Sequence, residues 1–241
     1  MSALARVNSI WRVPVILIFT ALMATLSVVL SFSSADAVRR QDWCARTWSR
    51  FILRVSRVRV DVRGLETLDQ TQAYVFAANH LSMFDIWALL ACLPFSVRFV
   101  AKASLFRWPL LGWHLRQSGN IRVDRHHPRR TIRAFQEAGK GIRAGVSFVV
   151  FPEGMRTWGA EVAPFKRGSF VLARHAGAPI VPITIIGSHL LLQRGSILIN
   201  PGCMKVIIHP TIPYEDFREQ ELQALAGRVR STIVESYQEA P

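Results

Sequence analysis

A chain of 241 residues accommodates one domain, or one domain with an appendage, and with half of its residues hydrophobic it has ample material for a core and more than a purely soluble protein usually carries. The formal net charge of +14, with a pI near 11.2, calls for an anionic partner: nucleic acid, a membrane surface or a phosphorylated substrate. Cys44, Cys92 and Cys203 are too few and too scattered for a disulfide framework or a zinc site, which fits a reducing compartment.

Pro14 to Ala35 is free of charge over 22 residues, long enough to span a bilayer or to lie deeply in one leaflet. A signal peptide is the competing reading, because Ala35-Asp36-Ala37 has the form of a cleavage site, but the apolar stretch exceeds a signal core and favours a retained anchor. Arginines are denser after this segment than before it, which puts the following domain in the cytoplasm. Trp43 to Val58 then forms an amphipathic helix with Cys44, Trp48, Phe51, Ile52 and Val55 on one face and Arg46, Arg50, Arg54 and Arg57 on another. That helix suits anionic headgroups, or its apolar face packs on the domain. Residues 1–58 are therefore expected to form a membrane anchor with a basic amphipathic helix, and residues 59–241 an α/β domain.

Val58 to Arg63 alternates as a half-exposed strand, and Tyr74 to Ala78 is a short buried one. Ile86 to Leu93 is helical. Ser96 to Ala101 is a strand delivering Lys102, and Leu105 to Gln117 is an apolar helix or surface loop. A strand from Ile121 follows the turn at Gly119. Arg129 to Ala144 is an amphipathic helix with Ile132, Phe135, Ala138 and Ile142 inward, stopped by Gly145. Val146 to Phe151 is a fully buried strand. Ser169 to His175 is helical, Ile180 to Ile186 is a strand whose Pro182 marks a sheet edge or a bulge, and Met204 to His209 is a strand. Glu215 to Tyr237 closes the chain as an amphipathic helix. This alternation predicts an α/β fold: a mostly parallel or mixed central sheet covered by helices on both faces, with an N-terminal membrane-attaching helical segment.

Asn79 to Asp85 sits at the turn between a buried strand and a helix, where α/β folds present side chains to substrates. His80 and Asp85 suit general-base work, since imidazole titrates near neutrality and a carboxylate fixes its tautomer. Residues five apart on a regular helix are rotated by about 140°, so the pair meets only with His80 in the loop and Asp85 in the first turn. Ser82 to Asp85 also fits a capping box, in which Asp85 merely satisfies amide donors. A second polar loop, Phe151 to Thr157, leaves the buried strand. Its Gly154 permits close backbone approach and its Arg156 matches a phosphate, although Glu153 and Arg156 would also make a structural ion pair.

In order, Asn79-His80-x-x-x-x-Asp85, Gly119 to Arg125, Phe151-Pro152-Glu153-Gly154-x-Arg156 and Val181-Pro182-Ile183 resemble the four sequence blocks of the glycerophospholipid acyltransferases. Among these the bacterial 1-acyl-glycerol-3-phosphate acyltransferases are most similar. The resemblance covers roughly Arg63 to His209. It implies acyl transfer from acyl-CoA or acyl-carrier protein to a glycerol hydroxyl, with His80 as base and Asp85 as its orienting carboxylate. It further implies acceptor binding by Glu153, Gly154 and Arg156, with Lys102 and Arg125 supporting the phosphate. Met155 stands where the family often has a small hydroxyl residue, which bears on the choice of phosphate acceptor.

A thioester is already activated, so the chemistry needs no enzyme nucleophile, no metal and no cofactor beyond the acyl thioester co-substrate. It needs deprotonation of an attacking alcohol, alignment of two reactants, and amide donors near the helix start after Ser82 for the developing oxyanion. The expected partners are the thioester donor, a lysophospholipid acceptor and an anionic membrane surface at the cytoplasmic face of the inner membrane. The acceptor is expected to be 1-acyl-glycerol-3-phosphate, giving phosphatidic acid, or another lysolipid such as lyso-ornithine lipid. A non-catalytic basic membrane- or nucleic-acid-binding protein is disfavoured because the charge is dispersed and no nucleic-acid module is present. The commonest form of secreted hydrolase lacks its nucleophile elbow here.

Overall fold

The computed structural model describes residues 3–32, 37–123, 128–158 and 161–239; Arg125 and the Ala35-Asp36 pair of the cleavage-like triplet lie outside these. Two long helices, α1 (Ala3–Ser31) and α2 (Ala37–Val55), precede β1 (Val58–Arg63) and β2 (Val75–Ala78). They are followed by α3 (Phe84–Cys92), β3 (Val97–Lys102), α4 (Leu111–Gln117), β4 (Ile121–Val123), α5 (Pro128–Arg143) and β5 (Ser147–Val150). Then come α6 (Val171–Ala176), β6 (Ile180–Ile186), the single turn α7 (Ser188–Leu191), β7 (Gly202–Ile208) and α8 (Leu222–Gln238).

The strands form one sheet in the order β1-β7-β6-β2-β5-β3-β4. Strands β2 to β6 all run parallel, and β7 pairs antiparallel with β6 and parallel with β1, so the sheet is mixed as expected. Period-two side-chain alternation explains the layers. Phe76 and Ala78 enter one core with Ile52, Phe84, Ala88 and Leu89 from α2 and α3. Val75 and Ala77 enter the other with Phe135, Leu172, Leu225, Val229 and Ile233 from α5, α6 and α8. Because β2 to β6 share a direction, their C-terminal ends open on one edge of the sheet, where an α/β fold places its ligands.

Two expectations are corrected. Pro182 marks neither edge nor bulge, because β6 lies inside the sheet between β2 and β7. It stands one residue beyond the last β6–β7 pair, Ile183 with Ile208, where its carbonyl accepts the His209 N–H at 3.0 Å and no N–H of its own is required. Leu105 to Gln117 is not one helix: a 3-10 turn at Ala103–Arg107 is followed by Leu110 at φ 58° and then α4. Gly112 permits that reversal, since a Cβ there would stand 2.4 Å from the Phe106 carbonyl oxygen.

Of the two readings of α2, the structure gives the packed one. Cys44 and Ile52 are buried, Phe51 stacks on Phe19 of α1 at 3.8 Å, and Arg46 donates to the Phe95 carbonyl at 2.6 Å. Lipid-like exposure belongs to α1 instead, where Ser9–Ser31 is 23 residues long and apolar enough to cross a membrane.

Candidate active site

His80 leaves the end of β2 and Asp85 stands in the first turn of α3, the one arrangement in which they can meet. Nδ1 of His80 lies 2.8 Å from Oδ2 of Asp85, whose side chain is fully buried. The same Oδ2 accepts the backbone N–H groups of Leu81 at 2.7 Å and Ser82 at 2.8 Å. Capping and imidazole orientation are thus not alternatives, because one oxygen does both. Oδ2 is already the acceptor for two backbone N–H groups and accepts from Nδ1–H as well, the tautomer in which Nε2 carries a lone pair. The Leu81 and Ser82 amides are thereby taken up by Asp85.

The loop after β5 fixes the histidine from three sides. Phe151 stacks on the imidazole with centroids 3.9 Å apart and planes 15° from parallel. Glu153 Oε1 accepts the His80 N–H at 2.6 Å, and the Thr157 N–H donates to the His80 carbonyl at 3.0 Å. The other Glu153 oxygen accepts the Ala163 N–H at 3.0 Å, so both carboxylate oxygens engage backbone. No Glu153–Arg156 ion pair occurs among the described residues. Burial pushes the Glu153 carboxyl up to about 7, against the opposing pull of its amide donors. Gly154 adopts φ 77°, a left-handed turn that favours glycine, and the nearest neighbour of a Cβ there would be the movable end of Lys166, with Nζ at 3.0 Å.

Arg156 is half-buried beside this loop, its pKa lowered by burial and then by neighbouring Arg194. Lys102 ends β3 on the same edge of the sheet, exposed, with β5 between it and the His80 strand. His80, Asp85, Glu153, Gly154 and Arg156 therefore form one cluster, and Lys102 borders it. Among the described residues no group of His, Cys, Asp or Glu is placed to hold a metal ion.

Residues 59–186 match the family model described as "Acyltransferase". The chain belongs to the acyltransferase family. Similar relatives include a chloroplastic 1-acyl-sn-glycerol-3-phosphate acyltransferase of Brassica napus, 31% identical over 83% of this chain and 58% of that one. The 1-acyl-sn-glycerol-3-phosphate acyltransferase of Saccharomyces cerevisiae is 32% identical over 75% of this chain and 60% of its own length. The chain thus spans about three fifths of the curated relatives it matches. It shares its fold with the 1-acyl-sn-glycerophosphate acyltransferase of Thermotoga maritima, at a TM-score of 0.82 and 23% identity over 98% of this chain and 97% of the other.

Several residues organise this acyltransferase site through contacts that the local sequence does not show. The buried Asn79 side chain copies a strand, donating to the Ile185 carbonyl at 2.8 Å and accepting the Ile185 N–H at 2.7 Å, which ties the His80 loop to β6. Arg230 of α8 donates to the carbonyls of Val162 and Ala163, holding the segment whose amide faces Glu153. Arg194 donates to the Arg156 carbonyl from 38 residues away. Each acts through a long-range backbone contact that no spacing rule predicts.

Proposed function

We propose that this acyltransferase moves a fatty acyl group from acyl-CoA or acyl-carrier protein to the sn-2 hydroxyl of 1-acyl-glycerol-3-phosphate, giving phosphatidic acid. The observation that carries the reading is the 2.8 Å contact between His80 Nδ1 and a buried carboxylate oxygen, which leaves Nε2 as a base. Nε2 takes the hydroxyl proton as the alcohol oxygen bonds to the thioester carbonyl carbon. The tetrahedral intermediate then expels the thiolate, which receives that proton from the imidazolium. Arg156 grips the acceptor's phosphate with support from Lys102 and Arg125, which fixes where the hydroxyl points. In the same reading Glu153 and Gly154 serve acceptor binding indirectly, by shaping the loop between His80 and Arg156. The names of the Brassica and yeast relatives support this acceptor over other lysolipids.

Residues 1–58 serve membrane attachment and 59–241 catalysis in this account. Contacts of α1 run from Ser9, whose Oγ accepts the Ile199 N–H, through Thr20 on Trp48, to Ser27 on His114. That is about 27 Å of helix lying along the protein. Its other face exposes Ile10, Leu17, Ile18, Leu22 and Val29, and Trp43, Trp108 and Trp113 are exposed as well. These features favour a helix lying in one leaflet of the cytoplasmic face over one that leaves the domain to cross the bilayer.

The test is thiol release from acyl-CoA in vesicles with a panel of acceptors. Turnover is expected with 1-acyl-glycerol-3-phosphate and little with lysophosphatidylcholine or lyso-ornithine lipid. Preference for lyso-ornithine lipid would move the proposal to that acceptor.

A further inference from the structure

Arg194 follows α7, outside the four blocks, yet its guanidinium reaches the loop that carries Arg156. Nη1 donates to the Arg156 carbonyl at 2.7 Å and lies 3.8 Å from the Met155 sulfur. The guanidinium carbon stands 4.5 Å from the centroid of the Trp158 ring, a cation–π contact. Gly195, at φ 81°, turns the chain directly behind, where a Cβ would come 3.8 Å from the same indole. These contacts orient the group without neutralising it. Among the described residues neither Arg156 nor Arg194 forms an ion pair with a carboxylate. The segment is also tied to the catalytic turn, since Ser82 Oγ donates to the Leu192 carbonyl at 2.7 Å.

Arg194 thus brings a second half-buried guanidinium against the backbone of Arg156, whose own pKa is lowered first by burial and then by Arg194. A ligand bearing two negative charges compensates both. A phosphate monoester carries about −1.5 to −2 near neutral pH, whereas a phosphodiester carries a single charge and offers fewer free oxygens to two planar forks.

We propose that Arg194 is a second phosphate-binding residue paired with Arg156, and that the pair makes the acceptor site select a phosphate monoester over a phosphodiester headgroup. This rests on the phosphate-bearing acceptor proposed above. It also gives Met155 a role, since its sulfur accepts from Nη1 of Arg194 at 3.8 Å and so helps to place the guanidinium.

The experiment uses the full chain in vesicles, with Arg194→Gln and Arg194→Lys. It measures acceptor KM and kcat, and competitive inhibition by a non-reactive alkyl phosphate monoester and by its methyl diester. Arg194→Gln is expected to raise KM and the monoester inhibition constant about tenfold, with kcat, donor KM and the diester constant changed less than about twofold. Arg194→Lys recovers part of the loss, because it restores charge without the planar fork. Equal weakening of monoester and diester, or no weakening at all, overturns the proposal. If Arg194→Gln fails to fold, Trp158→Leu removes the platform under Arg194 and should raise the monoester constant about threefold; an unchanged constant overturns it equally. A wild-type protein that turns over no phosphate-bearing acceptor defeats the proposed function itself. Normal turnover with an indifferent Arg194 defeats this inference alone.

Discussion

Replacing Asp85 by Asn separates the two tasks of one carboxylate. The amide oxygen must stay where Oδ2 is, facing the His80 ring and the Leu81 and Ser82 amides at 2.7–2.8 Å. Its NH2 group then takes the position of Oδ1, which is buried and has no partner. Losing charge assistance on three hydrogen bonds costs about 1 kcal/mol each, partly offset because an amide is cheaper to bury, so stability falls by about 1–2 kcal/mol. Catalysis suffers more. With the carboxylate and ring charges about 4 Å apart and an effective dielectric near 20, the ion pair formed when His80 becomes imidazolium is worth about 4 kcal/mol. That corresponds to roughly a 10³-fold loss in kcat, within the range of general-base catalysis. Thiol release under saturating donor and acceptor reads kcat, and urea unfolding reads stability. The double variant with His80→Ala should be no slower than His80→Ala alone, because the two groups act as a unit. An Asp85→Asn enzyme within about threefold of wild-type kcat, or losses that multiply in the double variant, would refute this reasoning.

Asn79→Ala orphans both the N–H and the C=O of Ile185 in the core and should cost about 2–4 kcal/mol in chemical denaturation. Glu153 and His114 contribute to pH-dependent stability with opposite signs, because burial raises the carboxyl to about 7 and lowers the imidazole to about 4. The folded Glu153 pKa of about 7 lies above the ordinary 4.5, so the folded state binds more protons there and this contribution to stability declines as pH rises from about 4.5 to about 7. Glu153→Gln should remove that decline of about 2–3 kcal/mol, so that its urea midpoints rise relative to wild type between pH 4.5 and about 7, the His114 contribution remaining in both; a constant difference between the two profiles would overturn the assignment. Leu17→Glu with Leu22→Glu, both exposed on α1, should abolish vesicle co-sedimentation while leaving the far-ultraviolet circular dichroism intact.

The sequence made the layered α/β plan legible because β2, β5 and β6 are near-continuous apolar runs and α5 and α8 carry a clear helical stripe. The His80–Asp85 geometry followed from spacing once the strand-to-helix turn was located. Pro182 misled because residue preference cannot tell an edge strand from the end of a ladder inside the sheet. The face of α2 stayed ambiguous for a related reason: an apolar stripe looks the same whether a lipid or α1 covers it. Glu153 read as a substrate ligand, yet its two oxygens meet backbone amides whose positions depend on the packing of α8 through Arg230. Arg194 was invisible for the same cause, since its partners are a carbonyl and an indole brought close only by the fold.

The central claim, that Nε2 of His80 accepts the acceptor's proton, is tested most directly by the turnover of His80→Ala in vesicles. Thiol release at least about 10²-fold below wild type is expected, with the variant folded, membrane-bound and unchanged in acceptor KM. Release at the wild-type rate would contradict that claim.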